Sequence, residues 1–288
     1  MRSRIKGFTL IELLVVISII ALLLSIMMPS LSRAKELARR TVCASDQKSI
    51  GTAIMVYANK NNDLLPKSYY MTGGNLPSAS YTLFYLDPAA KISWSPKKRI
   101  AIVGGKDQIF NFGYLFTNNI IENPKVFYCP STPHPVEMSG PYSVSYRYEQ
   151  YSNDGTFPWN NSFEDTTAWN RFTVRSSYNY IPQNAKAKAL VDTSKGKGYF
   201  PKMAEKSFEL DSNHVLSCDY LFRKDMLPHK NGKKATGVNA LFSDCSVKYV
   251  NKAEAFDNDL WNDAGEASGY ARVGNDEYTF RKIISLFE

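Results

Sequence analysis

The strongest hydrophobic pattern in the chain is an apolar run over residues 8–28 that carries a single charge, at Glu12. A helix of that length spans about 30 Å at about 1.5 Å per residue, which matches the hydrocarbon core of a bilayer. The run is longer than the apolar core of a usual secretory signal, and no small-x-small cleavage site follows it. Residues 8–28 are therefore predicted to form a membrane-spanning helix.

A second, amphipathic pattern follows the apolar run. Behind Pro29, apolar and small residues recur at steps of three and four through Ile54, and basic residues lie outside this narrow stripe. A proline inside a helix removes a backbone hydrogen bond and bends the helix. Asparagines from Asn59 onward, followed by Pro66, are typical of a helix end. The pattern predicts one kinked helix from residue 8 to about residue 60, with its second half packed on a globular body.

From residue 64 onward the chain changes to short segments that are rich in Tyr, Asn, Ser, Pro and Gly. Their alternation and turn residues predict an α+β fold, in which the long helix packs on a small antiparallel sheet head with loop-rich insertions. Strands are predicted at 125–129, 171–181 and 214–222, with a hairpin over 237–250 that turns near 243–246; short helices are predicted at 108–121, 251–261 and 275–288.

Composition and charge narrow the choice of function. The chain is 44% hydrophobic and 13% aromatic, enough to bury a core. Its formal charge is +8, but three of the positive charges, at Arg2, Arg4 and Lys6, precede the apolar run. The rest are spread over a long chain, which argues against nucleic acid as a partner. The basic turn at 229–234 lacks interleaved aromatic residues, so it is interpreted as a solvated turn.

The N-terminal sequence "KGFTLIELLVVISIIALL" places Phe8 directly after Gly7 and a glutamate five residues after that glycine. It resembles the type III signal of type IV pilins and type II secretion pseudopilins. The resemblance implies a pilin-like fold, cleavage by a prepilin peptidase between Gly7 and Phe8, and methylation of the new amino group of Phe8. It implies that Glu12 pairs with the amino terminus of a neighbouring subunit and so sets the register of assembly.

The same resemblance implies a structural subunit and not an enzyme. Its partners would be the prepilin peptidase, other pseudopilin subunits and the inner-membrane assembly platform. The chain would cross the cytoplasmic membrane once, with its N-terminus cytoplasmic and its head periplasmic or in a surface filament. The expected segments are a leader at 1–7, a transmembrane helix at 8–28, an amphipathic extension at 29–62, and a head at 63–288 with an aromatic-rich insertion at 142–180.

A second resemblance rests on "NPKVFYCPS" (123–131) and "PHKNGKKATGVNALFSDCSVKYV" (228–250). These segments are similar to long pseudopilin-like, prepilin-type processing-associated proteins with a His-x9-Asp-Gly motif in a C-terminal hairpin. The matching residues are His229 and Asp244; Cys245 replaces the glycine, and the spacing is longer, with fourteen residues between His229 and Asp244.

Cysteines often stand at the positions of Cys43 and Cys129 in those long proteins, which implies a disulfide between them. By the chain-entropy model such a long loop closure stabilises the fold by roughly 4 kcal/mol. Cys218 and Cys245 lie in predicted neighbouring strands and form a second candidate pair. Free buried thiols are the alternative for all four cysteines.

Other candidate sites are weaker patterns. His214, Asp219, His229 and Asp244 could form a metal or hydrolytic site, but there is no HExxH, GxSxG or P-loop motif. The alternative is that the two aspartates cap turns and the histidines are exposed. No cofactor is predicted apart from a calcium option in the oxygen-rich segment 257–266, whose candidate ligands are Asp257, Asp259 and Asp263.

The aromatic insertion at 142–180 has two interpretations. Tyr and Trp suit sugar stacking or subunit contacts, and they also fill the core of a loop-rich domain. The first interpretation predicts a membrane-anchored module that binds surface polysaccharide through Trp159 or Trp169. An anchored metal-dependent hydrolase, acting through His229, is the remaining alternative to the assembly subunit.

Overall fold

The computed structural model describes residues 8–68, 80, 82–85, 93–94, 101–103, 106–107, 109–132, 173–185, 203–221, 224–232, 234–262 and 277–288. Within these ranges the fold consists of one very long helix, a central antiparallel sheet, two smaller sheets and short helices at the C-terminal end.

Helix α1 (Leu10–Lys60) is 51 residues long and is continuous, as the sequence predicts. It begins with a capping box, in which the side chain of Thr9 accepts a hydrogen bond from the backbone of Glu12 and the Glu12 carboxylate accepts one from the backbone of Thr9. Pro29 lies inside the helix, and the bend expected there stays a prediction. Asn61 provides the C-terminal cap.

The two halves of α1 have different surroundings. Its large apolar side chains from Leu10 to Leu31 are exposed, and burial begins only at Cys43. The stripe between Leu31 and Val42 was expected to pack on the head, but both of these side chains are more than half exposed. The predicted face is therefore wrong up to Ser45, and packing on the described part of the head uses a neighbouring face of α1, on which Ile50, Ala53 and Ile54 were predicted correctly. Its buried residues are Cys43, Gln47, Ile50, Gly51, Ala53, Ile54 and Ala58.

Two small sheets lie outside the central one. One has two antiparallel strands and the other has three. The first contains β1 (Thr82–Tyr85) and β5 (Thr173–Arg175); the second contains β2 (Ser93–Trp94), β3 (Ala101–Val103) and β4 (Lys106–Asp107).

The central sheet has five strands, all antiparallel. The strands are β6 (Tyr178–Tyr180), β7 (Val215–Asp219), β8 (His229–Asn231), β9 (Lys234–Phe242) and β10 (Val247–Val250). Their order is β10-β9-β7-β6, and β8 pairs with the first part of β9. The hairpin between β9 and β10 turns at residues 243–246, as predicted from the sequence.

The central sheet separates two cores, because neighbouring residues of a strand point to opposite faces. Leu216 and Leu241 join a core with α1, whereas Val215 and Phe242 join a core on the other face. That second core is covered by C-terminal elements: a 3-10 helix at Ala253–Phe256, α3 (Asn258–Asn262) and α4 (Glu277–Phe287).

The α+β fold with a long N-terminal helix and a small antiparallel sheet is confirmed. The helix predicted within 108–121 is present as α2 (Gly113–Thr117). The strand predicted at 125–129 is wrong, since Pro124–Phe127 forms a 3-10 helix. Pro124 at its start suits a helix, and the side chain of Asn123 accepts a hydrogen bond from the backbone of Lys125.

Candidate functional site

Four side chains from distant parts of the chain meet between α1 and the central sheet. Their potential metal-ligating atoms all lie within 4.8 Å of one another, and all four residues are buried. We call this cluster the buried quartet: Cys43, Cys129, Asp219 and His229.

Each member of the quartet is fixed by its own element. Cys43 is the first buried residue of α1, and Asp219 is the last residue of β7. His229 begins β8, where it pairs with Gly237 of β9. Cys129 follows the 3-10 helix that packs on α1. The helix, the sheet and one loop therefore all contribute to the cluster.

Asp219 is the centre of the hydrogen-bond network. Its Oδ1 accepts from the thiol of Cys43 at 3.0 Å and from the side-chain amide of Gln47 at 3.0 Å. Its Oδ2 accepts from the backbone N–H of Asn239 at 2.6 Å. A fully buried carboxylate needs such partners, because an unpaired buried charge is costly.

The two nitrogens of His229 have different partners. Nδ1 lies 2.8 Å from a carboxylate oxygen of Glu36, so it carries a proton and donates it. Nε2 points into the quartet, at 3.3 Å from Oδ2 of Asp219 and 3.9 Å from Sγ of Cys129. The side-chain nitrogen of Asn239 also approaches Nε2, at 3.1 Å.

Burial and the charge of Asp219 have opposite effects on the pKa of His229. Burial lowers the pKa of His229, but the charge and hydrogen bond of Asp219 outweigh it and raise that pKa to about 11. Burial raises the pKa of the thiols of Cys43 and Cys129. Without an ion, His229 is therefore an imidazolium and the two thiols of the quartet are neutral at neutral pH.

A shell of polar groups surrounds the quartet. The hydroxyl of Tyr178 donates to Sγ of Cys43 at 3.5 Å. The hydroxyl of Ser131 donates to the carboxylate of Glu36. A surface cavity reaches Glu36 and His229, and it is also lined by Arg40. The cavity thus approaches the outer side of the histidine, which is itself fully buried.

The sequence pointed to only part of this site. Asp219 and His229 were expected to be joined by His214 and Asp244, but the structure brings neither of those two into the quartet. Asp244 is exposed, and its Oδ1 accepts from the backbone N–H of Ser246 at 2.8 Å, which is the turn-capping alternative. The expectation of exposed histidines is wrong for His229, which is fully buried.

The outer partners of the quartet were not predicted. Glu36, Gln47 and Asn239 carry no motif of their own. The signal that was available for Gln47 is its position one helical turn after Cys43, on the face of α1 that packs on the sheet. Glu36 could have been found in the same way, at two turns before Cys43.

Of the two predicted cysteine pairs, the structure brings only the first close together. The thiols of Cys43 and Cys129 lie together in the quartet, and both are free; their disulfide stays a prediction. Cys218 belongs to the core under α4, whereas the thiol of Cys245 lies beside Gly51 of α1. These two cysteines face opposite sides of the sheet and are not brought together.

The N-terminal candidates lie on the exposed end of α1. The Oε2 atom of Glu12 accepts from the backbone N–H of Thr9 at 2.9 Å and from its hydroxyl at 2.8 Å. Phe8 is 70% exposed, and Gly7 lies outside the described residues. The register role of Phe8 and Glu12 stays a prediction.

Two further expectations fall largely outside the described residues. Of the calcium candidates, Asp263 is outside them, and Oδ1 of Asp257 accepts from the backbone N–H of Asp259 at 2.7 Å. Of the aromatic insertion, residues 142–172 are outside them, including Trp159 and Trp169. The described aromatic residues, Tyr178 and Tyr180, are buried in the core with α1.

One comparison with known proteins gives a match. The family model described as the prokaryotic N-terminal methylation motif matches residues 2–28. The motif implies processing by a prepilin peptidase and association with a membrane. By length and composition, α1 could cross a bilayer, and none of its most apolar stretch is buried in the protein. No curated protein and no solved structure matches the chain.

Proposed function

We propose that this chain, whose methylation motif and long apolar helix fit a type IV pilin-like or pseudopilin protein, is a structural subunit of a filament of the type II secretion or type IV pilus kind. Processing removes the leader at 1–7, and residues 8–28 anchor the subunit in the cytoplasmic membrane. The head at 63–288 then lies outside the cytoplasm, joined to the anchor by the extension at 29–62.

The observation that carries the proposal is the complete exposure of the apolar half of α1. Large apolar side chains from Phe8 to Leu31 lie on all sides of the helix, and none of them contacts the described head. Burying such a side chain away from water is worth about 1.5–3 kcal/mol. This half of α1 therefore requires lipid around it before assembly and the apolar helices of other subunits after it.

Within the assembly, Glu12 has the role of a charge partner for a neighbouring subunit. Its carboxylate is exposed and is held by Thr9 at the first turn of α1, where the positive end of the helix dipole favours an anion. Cleavage after Gly7 would create a charged amine on Phe8. A neighbouring subunit's Phe8 amine can then pair with Glu12, because an unpaired charge near a membrane is costly. This pairing sets the stagger between subunits on the inner-membrane assembly platform.

The proposal is tested by substitutions that separate helix capping from charge pairing. Glu12→Gln keeps an acceptor for the Thr9 N–H, since glutamine also serves in a capping box, but it removes the charge. We expect Glu12→Gln and Glu12→Ala both to be cleaved and inserted normally and both to fail in assembly. Ser18→Ala, which removes only a local helix hydrogen bond to Leu14, is the matched control and should assemble.

Three measurements read the outcome: the mass of the N-terminal peptide, membrane fractionation, and the yield of sheared or cross-linked filaments. Gly7→Leu provides the processing control and should leave residues 1–7 attached and Phe8 unmethylated. Normal filament yield from Glu12→Gln would contradict charge pairing. Normal yield from both Glu12 variants would contradict any assembly role for this residue.

A further inference from the structure

We propose that the buried quartet is a zinc site that clamps α1 to the head. This inference goes beyond assembly and does not depend on it, because the quartet lies in the packed half of α1. Zinc binding would release three protons to solvent, one from each thiol and one from Nε2 of the imidazolium. The ligands would then be two thiolates, one imidazole and one carboxylate: Cys43, Cys129, Asp219 and His229.

The spacing of the ligand atoms suits a tetrahedral ion. With bonds of about 2.3 Å to sulfur and about 2.0–2.2 Å to nitrogen or oxygen, neighbouring ligand atoms are about 3.3–3.8 Å apart. In the quartet, Nε2 of His229 lies 3.3 Å from Oδ2 of Asp219 and 3.9 Å from Sγ of Cys129, while Sγ of Cys43 lies 3.0 Å from the other carboxylate oxygen, Oδ1 of Asp219. Since all four ligand atoms lie within 4.8 Å of one another, shifts of about 1 Å or less would bring them to tetrahedral spacing.

The outer partners are those that a metal centre needs. Glu36 accepts a hydrogen bond from the Nδ1–H of His229, which fixes the ring with Nε2 directed into the site, as in carboxylate–histidine–zinc arrangements. Gln47 and the backbone of Asn239 orient Asp219. When Nε2 binds the ion, the side-chain nitrogen of Asn239 retains its hydrogen bond to the carbonyl of Arg40.

The donor set indicates which ion binds. Thiolate and imidazole ligands favour zinc over calcium or magnesium, which prefer oxygen ligands. All four protein ligands are buried, and no position is left open for substrate, so the site is of the structural type. The surface cavity beside Glu36 ends at His229, so this ligand is the member of the quartet that lies nearest to that cavity.

A Cys43–Cys129 disulfide would exclude this ion, because both sulfurs would be consumed. It would also leave the arrangement of the other groups unexplained: the thiol of Cys43 is directed at Asp219, and Nε2 of His229 is directed inward between Asp219 and Cys129. A shared ion accounts for all four side chains at once.

The test uses the full chain, purified in detergent from cells that are supplied with zinc. The sample is divided in two, and the free thiols of one half are alkylated at lysis. Mass spectrometry of that half identifies disulfides, and metal analysis of the other half measures zinc. We expect about one zinc per chain and unlinked Cys43 and Cys129. A Cys43–Cys129 disulfide, or a folded and reduced chain that binds no zinc, overturns the proposal.

Cobalt and matched variants identify the ligands. Cobalt(II) exchanged into the unaltered chain should give a thiolate-to-cobalt charge-transfer band and tetrahedral d–d bands; their absence contradicts thiolate ligation without relying on any variant. Cys129→Ser and His229→Gln should lose stoichiometric zinc. Cys218→Ser and His214→Gln, which change a cysteine and a histidine outside the quartet, should retain it.

Glu36→Gln provides a finer test, because Glu36 touches the histidine and not the ion. Loss of such an outer partner typically weakens metal binding by about 10–100-fold. We expect that range for zinc competed against a chromophoric chelator. Unchanged affinity would show that Glu36 does not support the ligand.

Discussion

At the residue scale, the turn between β9 and β10 has Cys245 at a position whose backbone conformation favours glycine. Its backbone has φ of +63°, and its N–H donates to the carbonyl of Phe242 at 2.9 Å. This left-handed conformation is unfavourable for a side chain with a Cβ by about 1–2 kcal/mol, but glycine adopts it readily. The backbone conformation of Cys245 therefore lowers the stability of the folded hairpin relative to a glycine at this position.

We predict that Cys245→Gly is more stable than Cys245→Ala by about 1 kcal/mol. Both substitutions remove the same thiol, so the difference isolates the backbone conformation. Urea unfolding of each full-length variant in detergent, followed by tryptophan fluorescence, measures it. Equal midpoints and slopes for the two variants would show that the turn relaxes instead of storing this strain.

Asp46 gives a prediction for pH. Partial burial on α1 raises the pKa of its carboxyl from 3.8 to about 6. The folded protein thus disfavours the charged form, and this penalty is present above pH 6 and is lost as the pH falls towards 4. Asp46→Asn removes the ionisation altogether.

We therefore expect Asp46→Asn to stabilise the protein at pH 7 by about 1 kcal/mol, a value reduced for solvent screening because the side chain is only half-buried. The advantage should shrink across the interval between the two pKa values and disappear below it. Unfolding midpoints measured at several pH values check this. A constant difference at all pH values would mean that packing, and not ionisation, is responsible.

At the scale of elements, the parts that could be predicted are those that repeat a local pattern. The length of α1 follows from its continuous apolar run, its three-and-four spacing and its terminal asparagines. The hairpin at 237–250 follows from alternation around a turn. The face of α1 that is buried from Cys43 onward could not be predicted, because apolar and small residues at steps of three and four occur on more than one face, and the face with Leu31 and Val42 is exposed.

The quartet could be predicted only in part, for a related reason. Its members are far apart in the chain and meet only because α1 lies across β7, β8 and β9. Resemblance to long pseudopilin-like chains placed Cys43 near Cys129, but it does not show that Asp219 and His229 share their position. The position of Asp219 and His229 beside the two cysteines is determined by tertiary packing, which a local pattern of apolar residues does not predict.

The contact between α1 and the sheet predicts unequal effects for two neighbouring residues of the helix. Ile54 is fully buried in the core with Leu241, whereas Val56 is 38% exposed. Ile54→Ala should destabilise the protein by about 2–5 kcal/mol, through lost burial and a cavity. Val56→Ala, the matched control on the same helix, should change stability much less, by about 0.5 kcal/mol.

Chemical unfolding of the two variants measures this difference. Similar destabilisation by both substitutions would show that α1 packs through a wider face than the buried stripe. Little effect from either one would indicate that the described head folds without this part of α1.

At the scale of the whole molecule, anchoring and folding are carried by different parts of the chain. The apolar half of α1 has no contact with the described head, while the head depends on cores on both faces of the central sheet. The core on the face of the sheet away from α1 relies on α4, whose buried apolar side chains are Phe280, Ile283, Ile284 and Phe287. A change in α4 should therefore affect the head and leave the anchor unchanged.

We predict this separation for a chain that ends at residue 276 and so lacks α4. Removing four large buried side chains, at about 1.5–3 kcal/mol each, approaches the whole stability of a typical domain, which is about 5–15 kcal/mol. The truncated chain should still sediment with membranes, but its head should be degraded rapidly in limited proteolysis.

Lys282→Ala, at an exposed position of α4, should retain the normal proteolytic pattern. A truncated chain with a protease-resistant head would show that α4 only covers an already stable sheet, and loss of membrane association would show that the anchor depends on the head.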